Sequence, residues 1–237
     1  MTCQQAAADI LLVLDQSTSI VHDQPNYENW DVSILGFAKS IVMSFPIDPS
    51  LTQVGVIKFN QSVDKVILLN TYSDRDSLLS AIGNLTIDGG DTNLNAALTN
   101  ATELLDPKNG QRYGAREDVP KILIMLADGT VNTEKHLTID AADKAKAAGI
   151  IIYTVGVGPD IDSDELQKIA SKPEYFFFAS NFTELNGVLR DLEENTCQDA
   201  KSLLTTTTAT TPTTTTTTNR KPTTFCSRFI LRKCKLP

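Results

Sequence analysis

One cluster of oxygen-bearing side chains in the sequence has a spacing that suits metal-ion chemistry. Asp15, Ser17 and Ser19 form an Asp-x-Ser-x-Ser pattern directly after the aliphatic run from Ile10 to Leu14. A tight turn at this point can aim one carboxylate and two hydroxyls into a small volume, and such hard oxygen ligands suit Mg²⁺, Mn²⁺ or Ca²⁺. The alternative interpretation is a hydroxyl-rich turn that caps the next helix.

Two later stretches add side chains of the same kind. Thr92 follows the glycine turn at Gly89 and Gly90 and precedes a predicted helix, and Asp128 ends the apolar run of residues 121–127. In open α/β sheets, ligands bind at the edge where the carboxyl ends of the strands meet. The candidate metal ligands are therefore Asp15, Ser17, Ser19, Thr92 and Asp128.

Short apolar runs alternate with amphipathic segments along the chain. The run that precedes Asp15 is unbroken, which is typical of a strand buried on both faces of a parallel sheet. Strands are predicted at residues 10–14, 53–59, 62–69, 121–127, 150–157 and 175–179. Helices are predicted at residues 34–45, 74–85, 92–105, 141–148, 162–170 and 182–192.

This alternation predicts an α/β fold with a doubly wound, mostly parallel sheet of about six strands and helices on both faces. The two strands joined at Asn60 and Gln61 are close enough for a hairpin, which predicts one antiparallel edge strand. Residues 21–30 and 108–119 are polar, and we predict loops there, the second one a solvated connector. Both histidines, His22 and His136, are then expected in loops.

The charge is divided between an acidic part and a basic end. Residues 1–199 carry all 29 acidic residues but 14 of the 21 Lys and Arg residues, since seven basic residues follow Asp199; the net charge of residues 1–199 is −15. An acidic folded part argues against nucleic acid as a partner, because phosphate binding requires the opposite sign.

The four cysteines, Cys3, Cys197, Cys226 and Cys234, lie outside the predicted strands and helices. The termini of a compact domain often lie close together, so Cys3–Cys197 is the expected bridge among three possible connectivities, with Cys226–Cys234 in the tail. This pairing requires an oxidising compartment, and four free thiols in a cytosolic protein are the alternative. No secretory signal and no membrane-spanning segment is visible. The expected disulfides nevertheless predict an extracellular or secreted protein, of which this chain is then a fragment.

Composition divides the chain into three parts. Residues 1–199 are expected to form one domain, and residues 200–224 are rich in Thr and Pro and cannot bury a core. That second part resembles an O-glycosylated, mucin-like stalk, with a bare linker as the alternative. Residues 225–237 form a short basic tail with two cysteines, for which the start of a further domain is one interpretation. Four Asn-x-Ser/Thr sequons permit secretion without proving it: Asn60, Asn84, Asn100 and Asn181.

The five candidate ligands together resemble the metal-ion-dependent adhesion site of the von Willebrand factor type A domain, which is written Asp-x-Ser-x-Ser, then Thr, then Asp. The resemblance covers about residues 6–197. It implies that Ser17 and Ser19 bind the metal directly and that Thr92 and Asp128 bind directly or through water. Asp15 would act largely through water and hydrogen bonds.

The same resemblance implies a function. An extracellular adhesion or protein-binding module of this kind holds Mg²⁺, or else Mn²⁺ or Ca²⁺, and recognises an Asp or Glu carboxylate of a protein partner through the cation. Ala127 departs from the family pattern, in which a hydroxyl residue commonly precedes the last aspartate. This departure removes a hydrogen bond near the metal rather than a ligand.

Two other classes of function are open at this stage. The first is a structural module of the extracellular matrix whose metal site is unused. The second is a Mg²⁺-dependent phosphoryl-transfer enzyme with Asp15 as its nucleophile. Such enzymes usually carry a second acid at the position of Ser17, and the sequence contains neither a Walker-type phosphate loop nor a well-supported histidine triad. We therefore predict that the chain is not an enzyme.

Overall fold

A mixed six-stranded sheet organises the chain. The computed structural model describes residues 3, 6–22, 29–128 and 135–208. Its strands are β1 (Ala8–Asp15), β2 (Thr52–Phe59), β3 (Val63–Ile67), β4 (Lys121–Ala127), β5 (Ile150–Val157) and β6 (Phe176–Ala179). They lie in the order β3-β2-β1-β4-β5-β6, and β3 alone is antiparallel to its neighbour. The predicted fold class, with its antiparallel edge strand, is confirmed.

Helices cover both faces of this sheet. They are α1 (Thr18–His22), α2 (Leu35–Ser44), α3 (Arg75–Gly83), α4 (Leu94–Leu105), α5 (Pro107–Gly110), α6 (Lys135–Ala147), α7 (Ser163–Ile169) and α8 (Leu185–Thr208). Short polar side chains start four of them, because the side chain of Asp74, Asn93, Asp106 or Asp162 accepts a hydrogen bond from an amide in the first turn. Such caps satisfy amides that the helix itself leaves unpaired.

The core consists of two apolar layers on either side of β1. All eight residues of β1 are buried. Because side chains alternate along a strand, Ile10, Leu12 and Leu14 pack on one face with α2, α3 and α8, while Leu11 and Val13 pack on the other with α4, α6 and α7. The unbroken aliphatic run is therefore explained by burial on both sides.

The prediction of a loop over residues 21–30 is wrong at both ends. Helix α1 includes His22, and a wide, π-type helical turn, Asn29–Ile34, leads into α2. Trp30 and Ile34 are fully buried, and the Trp30 Nε1 donates to the Leu85 carbonyl at 2.9 Å. Burial of these two side chains fixes the backbone here, which the polar composition of the segment did not indicate. Residues 23–28 lie outside the described part of the chain, and His136 also belongs to a helix, α6.

The segment 108–119 is more than a solvated connector. It contains most of α5 and a short 3-10 turn, Gln111–Tyr113. The Arg116 side chain then contacts the start of β1 at Asp9. The Arg116 Nε donates to Asp9 Oδ1 at 2.8 Å, and its backbone N–H donates to Asp9 Oδ2 at 2.7 Å. Asp9 is fully buried, and this burial raises its pKa while Arg116 opposes the shift. The solvated-connector prediction is therefore wrong at Arg116, which holds a buried carboxylate.

A disulfide joins Cys3 to Cys197, as expected, with 5.6 Å between the Cα atoms. Cys197 lies within α8 rather than after the last helix, since α8 continues to Thr208 and buries Leu192, Thr196 and Ala200. The expected domain end at Asp199 therefore falls inside a helix. The expected Cys226–Cys234 bridge and the Thr/Pro-rich stretch from residue 209 lie outside the described residues. In the described part of the chain, no helix is long and apolar enough to cross a membrane.

We expect Arg116→Ala to lower the free energy of unfolding by about 3–5 kcal/mol, because it leaves the buried Asp9 carboxylate without its main partner. Urea denaturation measures the change. Arg112→Ala is the matched control, since Arg112 pairs with Glu103 at 3.1 Å but is 69% exposed, and such exposed pairs contribute about 1 kcal/mol or less. Equal denaturation midpoints for the two variants would show that Asp9 does not depend on Arg116.

Candidate metal centre

The candidate site lies where the strand order reverses. From β1 the chain builds outward to β2 and β3 on one side, and then returns to build β4, β5 and β6 on the other. The crevice at the carboxyl ends of β1 and β4 is the usual place for a ligand in such sheets. Asp15 is the last residue of β1, and Asp128 directly follows β4, so the topology places both carboxylates at this crevice.

Asp15 is held by the turn that follows its strand. Its side chain is fully buried, and its Oδ1 accepts a hydrogen bond from the backbone N–H of Ser17 at 2.8 Å. Its other oxygen, Oδ2, is buried and has no hydrogen-bond partner in the described part of the chain. The Asp-x-Ser spacing explains the first contact, because an aspartate readily bonds the amide two residues on. Among the described residues, Oδ2 is therefore a buried acceptor without a donor.

The hydroxyls of the pattern converge on the second carboxylate. Ser19 Oγ donates to Asp128 Oδ1 at 2.8 Å, and Ser17 Oγ lies 3.5 Å from the same oxygen. The two hydroxyl oxygens are 2.9 Å apart. Asp15, Ser17, Ser19 and Asp128 thus share one small volume, although 113 positions separate the first from the last. Both serine hydroxyls point toward Asp128, which favours the ligand interpretation of these residues over the helix cap.

The fifth candidate, Thr92, lies half-buried in the loop before α4. This loop is tied to the Ser17–Ser19 turn through Thr18, whose N–H donates to the Gly90 carbonyl at 2.8 Å and whose Oγ1 accepts from the Gly90 N–H at 2.7 Å. Gly89 and Gly90 have φ values of +73° and +113°, which a residue with a Cβ rarely adopts. The glycines therefore bring the loop of Thr92 against the turn that carries the serines.

Residues that the sequence did not single out as part of the site hold this loop from the other side. Asn60 Nδ2 donates to the Gly89 carbonyl at 2.5 Å, and Lys58 Nζ donates to the Thr86 carbonyl at 2.6 Å and contacts Asp88 Oδ2 at 3.2 Å. Both Lys58 and Asn60 are buried near the carboxyl end of β2. The available signal was a lysine between two apolar residues, Ile57 and Phe59, because a buried ammonium requires acceptors nearby.

The electrostatics of the centre are unfavourable without a cation. Burial, reinforced by the negative charge of Asp128, raises the pKa of Asp15 to about 7. Asp128 itself is 8% exposed, so water screens the pair poorly. In the described residues, no group of three or more His, Cys, Asp or Glu side chains could hold a metal ion, so a cation at this centre would use two carboxylates and neutral hydroxyls. A bound dication would remove the repulsion between the carboxylates and give Asp15 Oδ2 a partner.

Proteins of the extracellular matrix are similar to this chain in sequence. Collagen alpha-1(XII) chain of Notophthalmus viridescens is 33% identical over 200 residues, which cover 83% of this chain and 20% of the collagen. Matrilin-1 of Homo sapiens is 29% identical over 194 residues, which cover 81% of this chain and 36% of the matrilin. The chain thus spans only a minor part of the relatives that it matches. These two relatives are structural and adhesion proteins of the extracellular matrix and not enzymes.

Solved structures of proximal thread matrix protein 1 from the mussel byssus share the fold. One superposes with a TM-score of 0.74 at 28% identity and covers 81% of this chain and 49% of the mussel chain. Another has zinc in its metal-ion-dependent adhesion site (MIDAS) motif and superposes with a TM-score of 0.72 at 27% identity. It covers 81% of this chain and 48% of the mussel chain. The fold of this chain therefore has experimentally determined counterparts.

The sequence model of the von Willebrand factor type A domain matches residues 9–192. This interval contains most of the sheet, most of the two core layers and all five candidate ligands. The chain belongs to the von Willebrand factor type A domain family.

Proposed function

We propose that this chain is an extracellular adhesion module that binds a protein partner through one divalent cation. The observation that carries the proposal is the buried pair Asp15 and Asp128, with Ser17 and Ser19 beside it and Asp15 Oδ2 without a hydrogen-bond partner in the described residues. Matrix proteins among the relatives, and the disulfide Cys3–Cys197, support an extracellular location.

In this proposal, the ligands are Ser17, Ser19, Thr92, Asp128 and, largely through water, Asp15. Three of them contribute neutral hydroxyls, and oxygen ligands of this kind favour Mg²⁺, with Mn²⁺ or Ca²⁺ as alternatives. The zinc described in the motif of the mussel protein supports a divalent ion rather than one particular metal.

The hydroxyl-rich ligand set also supports recognition of a carboxylate. Two carboxylates balance the charge of a dication formally, but Ser17, Ser19 and Thr92 donate little negative charge to it. A cation held in this way retains affinity for one more anionic oxygen. An Asp or Glu side chain of the partner supplies that oxygen in the proposed complex, and the surrounding loops contact the residues beside it. Helix α8 occupies residues 200–208 of the mucin-like stalk predicted at residues 200–224, and the rest of that stalk stays a prediction.

Removal of the Asp15 charge should abolish tight metal binding. We expect the metal-free chain to bind Mg²⁺ or Mn²⁺ at one saturable site in calorimetric titration, and Asp15→Asn to weaken this binding by about 100-fold or more, the upper range for residues that orient metal ligands. Asp91→Asn is the control, because Asp91 is exposed on the loop of Thr92 and should leave the affinity unchanged. Equal affinities for the wild type and Asp15→Asn would remove Asp15 from the site.

The metal-free chain should lose stability as the pH rises. The pKa of Asp15 is about 7 in the folded chain and about 4 when unfolded, so its favourable contribution is complete below about pH 4 and is lost through about pH 7. We expect Asp15→Asn to be more stable than the wild type by up to roughly 4 kcal/mol at pH 8 in a chelator, and the gap to close near pH 4. Addition of Mg²⁺ at pH 8 should stabilise the wild type but not Asp15→Asn.

Urea denaturation of both proteins across this pH range measures the effect. Asp91→Asn again serves as control and should follow the wild type. Parallel pH profiles for the wild type and Asp15→Asn would show that neither burial nor Asp128 raises the pKa of Asp15 in the folded chain.

Carboxylate recognition has a direct test with peptides. Two peptide libraries, identical except for a fixed central Glu in one and Gln in the other, are presented to the chain in Mg²⁺ and in EDTA. We expect binding to the Glu library in Mg²⁺ alone, and its loss in Asp15→Asn. Equal binding to both libraries, or binding that persists in EDTA, would refute metal-dependent carboxylate recognition. Metal binding without any peptide binding would favour the structural-module alternative.

A further inference from the structure

The four Asn-x-Ser/Thr sequons differ sharply in their surroundings, and we propose that Asn84 and Asn181 carry N-linked glycans while Asn60 and Asn100 do not. Only an asparagine whose side chain reaches solvent can carry a glycan in a folded domain. The proposal rests on the extracellular location argued under the proposed function. It does not depend on metal binding.

Asn60 cannot carry a glycan in the folded chain. Asn60 is buried, with 6% of its surface exposed. Its Nδ2, the atom that a sugar would occupy, donates to the Gly89 carbonyl, and its Oδ1 accepts from the N–H and the Oγ of Ser62. A sugar on Nδ2 would separate Asn60 from the glycine loop of the candidate metal centre. Folding and modification at Asn60 are therefore incompatible.

Asn100 is also a poor acceptor. It is half-buried in the middle of α4, and its Nδ2 donates to the Ala96 carbonyl at 3.0 Å. The hydroxyl of its sequon, Thr102 Oγ1, donates to the Leu98 carbonyl at 2.7 Å. Both polar groups of this sequon are thus bonded back to the turn of helix that precedes them.

Asn84 also donates from Nδ2 to the carbonyl four residues before it, that of Ser80, at 3.0 Å, but it differs from Asn100 in its exposure. It is exposed at the end of α3, where the chain leaves the helix for the irregular segment that leads to Gly89. An open cleft of about 500 Å³ adjoins it, with one aromatic ring and several hydroxyls in its lining: Tyr72, Asp76, Ser77, Ser80, Ala81 and Asn84. A sugar ring offers an apolar face and hydroxyl groups, so this lining can contact the first residues of a glycan without displacing protein.

Asn181 is exposed as well. It follows β6 and starts the short 3-10 turn Phe182–Glu184, with its Oδ1 accepting from the N–H groups of Thr183 and Glu184. Its Nδ2 contacts only the exposed Ser180, at 3.2 Å, among the described residues. The carbonyl oxygen, which also accepts from Thr183 Oγ1 at 2.5 Å, therefore holds the turn, and the amide nitrogen, which contacts an exposed hydroxyl, can carry a substituent outward.

The modification uses a sugar donor of a known chemical class, a lipid diphosphate-linked oligosaccharide. A bond forms between the asparagine Nδ2 and the anomeric carbon of the first sugar, and the bond from that carbon to the diphosphate oxygen breaks. Nδ2 gives up one of its two protons to a base of the glycosyltransferase, and the lipid diphosphate leaves with the electron pair of the broken bond. The side chain keeps its remaining N–H and its Oδ1, so the cap that Asn181 Oδ1 provides is retained.

The two assigned asparagines lie on one side of the domain. Asn84 directly follows α3, and Asn181 lies four positions before the first residue of α8. Both helices cover the sheet face that also carries α2. The opposite face, with α4, α6 and α7, carries only the half-buried Asn100. Glycans on Asn84 and Asn181 would keep other proteins away from the first face and leave the second face open for close contact.

The test is site mapping of the full chain expressed in eukaryotic cells with a secretion leader. The secreted, folded protein is treated with peptide-N-glycosidase, which removes only N-linked glycans and converts each modified asparagine to aspartate, and the four sites are read by mass spectrometry. We expect conversion at Asn84 and Asn181 and unmodified Asn60 and Asn100. Modification of Asn60 or Asn100 in the folded protein, or an unmodified Asn84 or Asn181, would overturn the assignment.

A matched pair of variants gives an independent reading. Thr86→Ala destroys the sequon of Asn84 and should remove one glycan, whereas Thr86→Ser keeps it and should migrate like the wild type on a gel. Asn181→Gln should remove the other glycan. If a variant is not secreted, site mapping of the wild type still decides the question. Metal titration of chain produced without glycans tests the proposed function separately, so failure of either proposal leaves the other measurable.

Discussion

The burial of two carboxylates at one point, Asp15 and Asp128, is the constraint on which the rest of the structure depends. Taking a single charge out of water costs several kcal/mol unless a partner compensates for it, and here two like charges share the crevice between β1 and β4. The apolar strands that deliver them must therefore be stable enough to hold the arrangement. Full burial of β1 between two core layers provides that stability, and it also fixes the direction in which Asp15 points.

The two ends of β1 solve the same problem in different ways. Asp9 near its start and Asp15 at its end are both fully buried. Asp9 has a guanidinium partner, because the Nη2 atom of Arg116 lies 2.7 Å from its Oδ1. One oxygen of Asp15 accepts from a backbone amide, and the other has no hydrogen-bond partner in the described residues. An internal ion pair at the amino edge of the sheet contributes to folding. An unmatched carboxylate at the carboxyl edge weakens the fold, which is what one expects of a site that is completed by a ligand.

The sequence predicted those features of the fold and the site that depend on residues close together in the chain. Short apolar runs indicated the strands, and the Asp-x-Ser-x-Ser spacing indicated a turn whose hydroxyls meet Asp128, because strand ends gather at one edge of a parallel sheet. Arg116 and Asn60 were missed as supports, since a contact between residues 107 positions apart, such as Arg116 with Asp9, leaves no periodic signal in the sequence. Helix α8 extends beyond the expected domain end because a buried stripe continues through Thr196 and Ala200, which are weakly apolar by composition alone.

The charge of the domain limits the partners that the proposed site can accept. Residues 1–199 carry a net charge of −15, so the field around the domain repels an acidic surface as a whole. A cation at Asp15 and Asp128 offsets this charge only locally, because ions in solution screen interactions beyond about 8 Å at physiological salt. A partner carboxylate must therefore come within contact distance before it gains from the cation, and its approach is opposed until then. A partner that presents its Asp or Glu among neutral or basic residues avoids this repulsion. The cation would then select the carboxylate, while the acidic surface around it would select the residues that flank the carboxylate.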